Sequence, residues 1–151
     1  MKRNWWDNVT LERFNEGAKC FSKQYSQYEI PGTGLFTDGK VTLAENIADN
    51  GAMKETRLAF MKYLKEIGGE EPRIPGYEEY TNEQMYFIAY GHSKCQLQTV
   101  DDSKGKASAT HADDRIRLIG AIRNSKEFAK AFNCPTGSPM SPPDEERCSI
   151  W

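Results

Sequence analysis

The chain has 151 residues, with 20 Lys and Arg against 22 Asp and Glu and a formal net charge of −2. That length suits one domain with its own core, and the balanced charge leaves no basic face for nucleic acid. Mean hydropathy is −0.75, no apolar run approaches the roughly 18–20 residues of a membrane span, and the basic start Met1-Lys2-Arg3 has no apolar stretch behind it, so it is not a signal peptide.

Residues 9–25 read as a helix, with Leu11, Phe14, Ala18 and Phe21 at helical spacing. Residues 29–40 are rich in Gly and polar residues and read as a loop. A longer helix is predicted from Thr42 to Glu66, with Leu58, Met61, Tyr63 and Leu64 on its packed face and Gly68-Gly69 as its stop. Pro72 and Pro75-Gly76 keep the next stretch irregular. Thr81-Asn82-Glu83-Gln84 has the pattern of a capping box and opens a third helix toward Cys95. Residues 96–110 are polar and read as a loop. The run Arg115 to Gly120 fits a strand or a helix equally. Ser125 is placed to cap a short helix through Phe128 and Phe132, and the Pro-rich stretch 137–143 cannot be regular. The fold class is mainly α with long loops, in a single unit over 1–151.

Four cysteines, Cys20, Cys95, Cys134 and Cys148, include no C-x-x-C pair and no finger-like histidine spacing, which argues against a structural zinc site. Their even count and wide scatter suit disulfides in an exported protein, with four buried thiols as the other reading. Asn8-Val9-Thr10 is an N-glycosylation pattern. Glu45 and Asp49, four apart within Glu-Asn-Ile-Ala-Asp, share a helix face. One account makes Thr42 an N-cap with Glu45 reaching back to it in a capping box. The other makes the two carboxylates a metal ligand and the group that orients a ligand histidine.

The segment Glu45 to Gly51 resembles the second zinc motif of the neprilysin family of metallopeptidases. The resemblance runs in order through Trp5-Trp6, Cys20 with Gln24-Tyr25, the helix from Gln84 to Cys95, His111, Arg117, Asn124 to Phe128, Ala131 to Cys134 and the closing Cys148-Ser149-Ile150-Trp151. It implies the C-terminal portion of a zincin-type catalytic domain that hydrolyses peptide bonds in oligopeptides, outside the cell or on the ectodomain of a plasma-membrane protein. By that resemblance Glu45 is a zinc ligand, Asp49 orients a ligand histidine, His111 stabilises the oxyanion of the tetrahedral intermediate, and Arg117 anchors the substrate. It also implies a Cys20–Cys148 disulfide, with Cys95 and Cys134 left without their usual partners.

This sequence departs from the family pattern in one large way. The family holds zinc through His-Glu-x-x-His, whose glutamate activates water; the two histidines here, His92 and His111, are nineteen apart. The chain alone is therefore expected to be inactive, its zinc site to await the missing N-terminal part of the parent peptidase, and its partners to be that part and peptide substrates. The alternative is a non-catalytic peptide-binding protein derived from this family. Smaller departures are Ala109 two positions before His111, where the family carries an acidic residue, and Ser93-Lys94 ahead of Cys95, where it carries an apolar residue and tryptophan.

Overall fold

The computed structural model describes residues 5–150. Residues 1–4, including the basic start, and Trp151, the last residue of the resemblance, lie outside them. Six α-helices account for the architecture: α1 (Asn8–Tyr25), α2 (Leu43–Glu66), α3 (Asn82–Ser93), α4 (Val100–Gly105), α5 (Asp114–Asn124) and α6 (Lys126–Ala131). Among the described residues there is no strand beyond the isolated bridges Glu29–Phe36 and Ser138–Ser141. No helix among them is long and apolar enough to cross a membrane.

Helix α1 starts at Asp7, whose carboxylate accepts from the backbone N–H of Thr10 at 2.8 Å and from its hydroxyl at 2.9 Å. Its buried face is Ala18, Phe21, Gln24 and Tyr25. Helix α2 starts differently from the expected capping box. Thr42 has ψ near 0° and makes no side-chain cap bond; the chain has already turned at Asp38, whose Oδ1 accepts from the N–H groups of Lys40 and Val41 at 2.9 and 3.0 Å. The Thr42 hydroxyl instead donates to the Asp38 carbonyl at 2.9 Å and accepts from Asn46 at 2.8 Å. Glu45 is thus free of capping duty. At the other end Gly68 and Gly69 take φ of 104° and 113°, and the Gly69 N–H closes onto the Leu64 carbonyl at 2.7 Å.

Thr81 and Gln84 form the predicted capping box of α3. The polar stretch 96–110 is not all loop: Thr99 and Asp102 make a reciprocal cap that supports α4, followed by a 3-10 turn at Lys106–Ser108. The ambiguous 115–120 run is helical. Buried Asp113 decides it, because its side chain accepts from the Arg115 N–H at 3.0 Å, and Gln98 donates to the same carboxylate. Ser125 ends α5 and caps α6, accepting from the Phe128 N–H at 3.1 Å.

Helix α5 packs along α2, and α1 packs against both. One core joins Phe21, Tyr25, Ile30, Ile47, Ala112, Ile116 and Cys148; a second joins Met53, Phe87 and Ala121 under Phe128 and Phe132. Gly120 permits the close crossing of α1 and α5, since a Cβ there would lie 2.5 Å from the Tyr25 ring. Between the helices runs a polar seam. Asn124 exchanges hydrogen bonds with Gln24 at 3.0 and 3.1 Å, donates to Asn50 at 2.9 Å and accepts from the Cys148 N–H at 3.1 Å. The disulfide Cys20–Cys148 ties α1 to the C-terminal segment, while Cys95 and Cys134 are free thiols. Both agree with the implied pairing.

Candidate functional site

The first two turns of α2 present Glu45 and Asp49 on one face, as their spacing of four dictates. Facing them are the segment before α5, which carries His111, and the first turns of α5, which carry Arg117. The four residues singled out in the sequence form two pairs, one helical turn apart. His111 Nε2 lies 3.0 Å from Glu45 Oε2, both side chains roughly half open to solvent. Arg117 grips Asp49 with two parallel bonds, Nε to Oδ2 at 2.6 Å and Nη2 to Oδ1 at 2.8 Å.

The second pair is the more enclosed, with 17% and 13% of the Arg117 and Asp49 side chains exposed. A bidentate fork holds the guanidinium in a fixed plane. Donating to the Asp49 carboxylate pushes the Arg117 pKa above its ordinary value, against the opposing effect of burial. Asp114 adds a longer contact, 3.6 Å from Nη1. Tyr90 stands beside this pair. Burial pushes its pKa up, and the negative charge of Asp49 pushes the same way, so its hydroxyl stays protonated.

Two neighbours flank the site: Lys94, at a departure from the family pattern already noted in the sequence, and Tyr90, which the sequence did not single out. Lys94, which follows α3 directly, brings Nζ to 4.0 Å from Asp49 Oδ1. Tyr90 lies one turn earlier on α3, and its hydroxyl is buried without a hydrogen-bond partner among the described residues. Only tertiary packing brings α3 to α2, and no sequence spacing announces that.

A zinc ion needs three or four nitrogen, oxygen or sulfur donors converging on one point. Among the described residues no group of three or more His, Cys, Asp and Glu is so placed. Glu45 with His111 is a two-donor pair at most. The residues of this chain therefore do not fit the metal by themselves; Glu45 can supply one ligand of a set completed from elsewhere. Arg117 can hold a carbonyl or carboxylate oxygen with the N–H groups that Asp49 leaves open.

Comparison with known proteins identifies the family. The family model described as peptidase family M13 matches residues 1–148. The chain belongs to peptidase family M13. It is 42% identical over 151 residues to neprilysin-1 of Caenorhabditis elegans, covering 99% of this chain and 20% of that protein. To human endothelin-converting enzyme 1 it is 38% identical over 150 residues, covering 99% of this chain and 19% of the relative. It thus spans about a fifth of the length of these M13 relatives. Among solved structures, a chain of the Haemonchus galactose-containing glycoprotein complex superposes with a TM-score of 0.87 at 33% identity, covering 95% of this chain and 24% of that one. The Mycobacterium tuberculosis zinc metalloprotease Zmp1, in complex with inhibitor, gives a TM-score of 0.84 at 24% identity, covering 99% and 23%, and shows the shared fold. The helical architecture matches the C-terminal part of the M13 catalytic domain.

Proposed function

We propose that this chain is the substrate-anchoring segment of a zinc metalloendopeptidase that cleaves peptide bonds in oligopeptides. One observation carries the reading: α2 presents two acid–base pairs a turn apart, Glu45 with His111 and Asp49 with Arg117, beside a family-wide match to M13 peptidases. Arg117 anchors a substrate carbonyl, and Asp49 keeps the guanidinium charged, planar and aimed. The Asp49 oxygens retain lone pairs for a ligand histidine of the complete protein. His111 donates an N–H to the negative charge that develops on the carbonyl oxygen. Glu45 is the one zinc ligand contributed here; the remaining ligands and the water-activating base belong to the part of the peptidase that this segment joins. The Cys20–Cys148 disulfide supports an oxidising location, outside the cell or on a plasma-membrane ectodomain.

A peptide-binding protein without catalysis is the second reading, favoured by the incomplete donor set. The test separates them. The purified chain, given zinc and a mixed peptide library, is expected to cleave nothing. Refolded together with an M13 segment that carries His-Glu-x-x-His, it is expected to cleave in a chelator-sensitive manner that disappears in Glu45→Ala. Chelator-sensitive cleavage by the chain alone, or a reconstituted enzyme indifferent to Glu45→Ala, would sink the proposal. Peptide binding dependent on Arg117 with no cleavage after reconstitution would favour the second reading.

A further inference from the structure

The pattern Asn8-Val9-Thr10 has no part in the site on α2 and α5. A glycan acceptor of this kind ordinarily lies in a surface loop. Here it forms the first turn of α1, with Asp7 as N-cap and the Leu11 N–H already closed onto the Asp7 carbonyl at 3.0 Å. All three residues are exposed, and among the described residues the Asn8 side-chain amide makes no hydrogen bond. The Thr10 hydroxyl is committed, donating to Asp7 Oδ2 at 2.9 Å. An oligosaccharyltransferase reads the asparagine amide and the hydroxyl two residues on together. On an α-helix side chains two apart point about 200° from each other and do not share a face. Folded α1 therefore offers the amide without the hydroxyl.

Helix α1 does not hold this shape by itself, because a lone helix is marginal in water until its apolar face is covered. Its cover comes from α2 and α5, made later in the chain. Gln24 waits for Asn124, 100 residues on, and Cys20 waits for Cys148, 128 residues on. At roughly 5–20 residues per second of synthesis the first of these gaps lasts on the order of 5–20 s. During it Asn8 and Thr10 are free to meet a transferase together. After folding, Asn8 stands exposed at the helix start, about 18 Å along the axis from Cys20, and a bulky polar group there leaves the core untouched.

We infer that Asn8 is the attachment point of an N-linked oligosaccharide, taken up before α1 folds. This rests on the proposed oxidising location, where the Cys20–Cys148 disulfide also forms. The donor is an oligosaccharide carried on a lipid pyrophosphate. Asn8 Nδ2 bonds to the anomeric carbon of the first sugar, and that carbon's bond to the phosphate oxygen breaks. The lipid pyrophosphate leaves, and the amide gives up one proton.

The experiment expresses the 151-residue chain behind an added secretion leader in cultured animal cells, which fixes the compartment. Lysate and medium are both probed, so a chain that folds poorly and is retained is still read. The expected result is a single mobility step removed by an N-glycosidase, with peptide mass spectrometry placing the glycan on Asn8. Asn8→Gln and Thr10→Ala lose the step, and Thr10→Ser keeps it in part. Solubilised transferase with lipid-linked donor modifies a synthetic peptide of residues 5–12 and leaves the folded, oxidised chain unmodified. No glycan in either fraction, or a step that persists in Asn8→Gln, overturns the site. A folded chain modified as readily as the peptide overturns the order of events. Loss of the glycan while the Cys20–Cys148 disulfide still forms overturns only the site, whereas a native protein with both those cysteines reduced overturns the location on which it rests.

Discussion

Replacing Cys20 and Cys148 together by alanine removes a crosslink between positions 128 apart in the sequence. Without it, nearly the whole unfolded chain is released from a closed loop. In the chain-entropy treatment a loop of that length is worth about 5 kcal/mol. The native contacts of the joined segments survive the exchange: the Cys148 N–H still donates to Asn124, and Ile150 still lies over Gly17, where any Cβ would be 2.8 Å from its side chain. The loss is thus expected to come from the unfolded state. For a chain of this size it corresponds to a drop in Tm of about 10–20 °C. Denaturant unfolding of the double variant against the parent, with Cys95 and Cys134 alkylated in both, measures it directly. The midpoint shifts strongly, and the parent with its disulfide reduced behaves like the variant. A loss below about 2 kcal/mol would refute the reasoning, because it would mean that the unfolded chain is compact enough to keep its ends together anyway.

Asp49→Asn removes the charge opposite an enclosed guanidinium and is expected to cost about 2–4 kcal/mol; pairing it with Arg117→Met in a double-mutant cycle should recover part of that cost, and strict additivity would show that the fork is not a coupled unit. Gly120→Ala drives a methyl into the Tyr25 ring and is expected to cost about 1–3 kcal/mol, with only partial relief in Tyr25→Phe, since the hydroxyl and a ring carbon are equally close and the ring carbons remain; thermal unfolding of the two variants checks this. Asp38, Asp102 and Asp144 all have their pKa lowered in the folded state, Asp38 by backbone N–H donors, Asp102 by Thr99 and Asp144 by Lys126. A depressed folded-state value means stability that is present above the ordinary 3.8 and lost as pH falls below it. Tm followed from pH 6 downward should therefore hold to about pH 4 and then fall; a flat profile to pH 2.5 would contradict the assignment.

Helix periodicity exposed α1, the Gly68-Gly69 stop bounded α2, and cap residues exposed α3 and α6. The packed face expected for α2 is wrong in part, because Leu58 and Tyr63 are exposed and the buried positions are Asn46, Ile47, Met53 and Leu64, where α1 and α5 cover the helix. The misreadings have local causes. Thr42-x-x-Glu45 carries the letters of a capping box, but the chain turns at Asp38, one turn early, so the bonding is made before Thr42 is reached. Helix α4 is too short and polar to show periodicity; its one signal is Thr99 with Asp102 three later, a weaker relative of the usual Thr-Glu pattern. The 115–120 run is rich in Ile and Arg and favours neither state, and buried Asp113 tips it toward helix. At the site, the spacing of Glu45 and Asp49 was visible in the sequence. That His111 meets one and Arg117 the other depends on α5 lying along α2, a long-range fact with no local signature.

Asn124 accepts two hydrogen bonds and donates two, which is nearly all an amide can do. It is followed by Ser125, and asparagine before a small residue is prone to spontaneous deamidation, in which the next backbone nitrogen attacks the side-chain carbonyl. Here that nitrogen is engaged, donating to the Ile122 carbonyl at 3.1 Å. The turn between α5 and α6 therefore acts as a chemical preservative. Were the amide to become a carboxylate, two donors would turn into acceptors facing Gln24 and Asn50, and the seam joining α1, α2 and α5 would repel itself. Aged protein should carry this lesion only in molecules that have already unfolded.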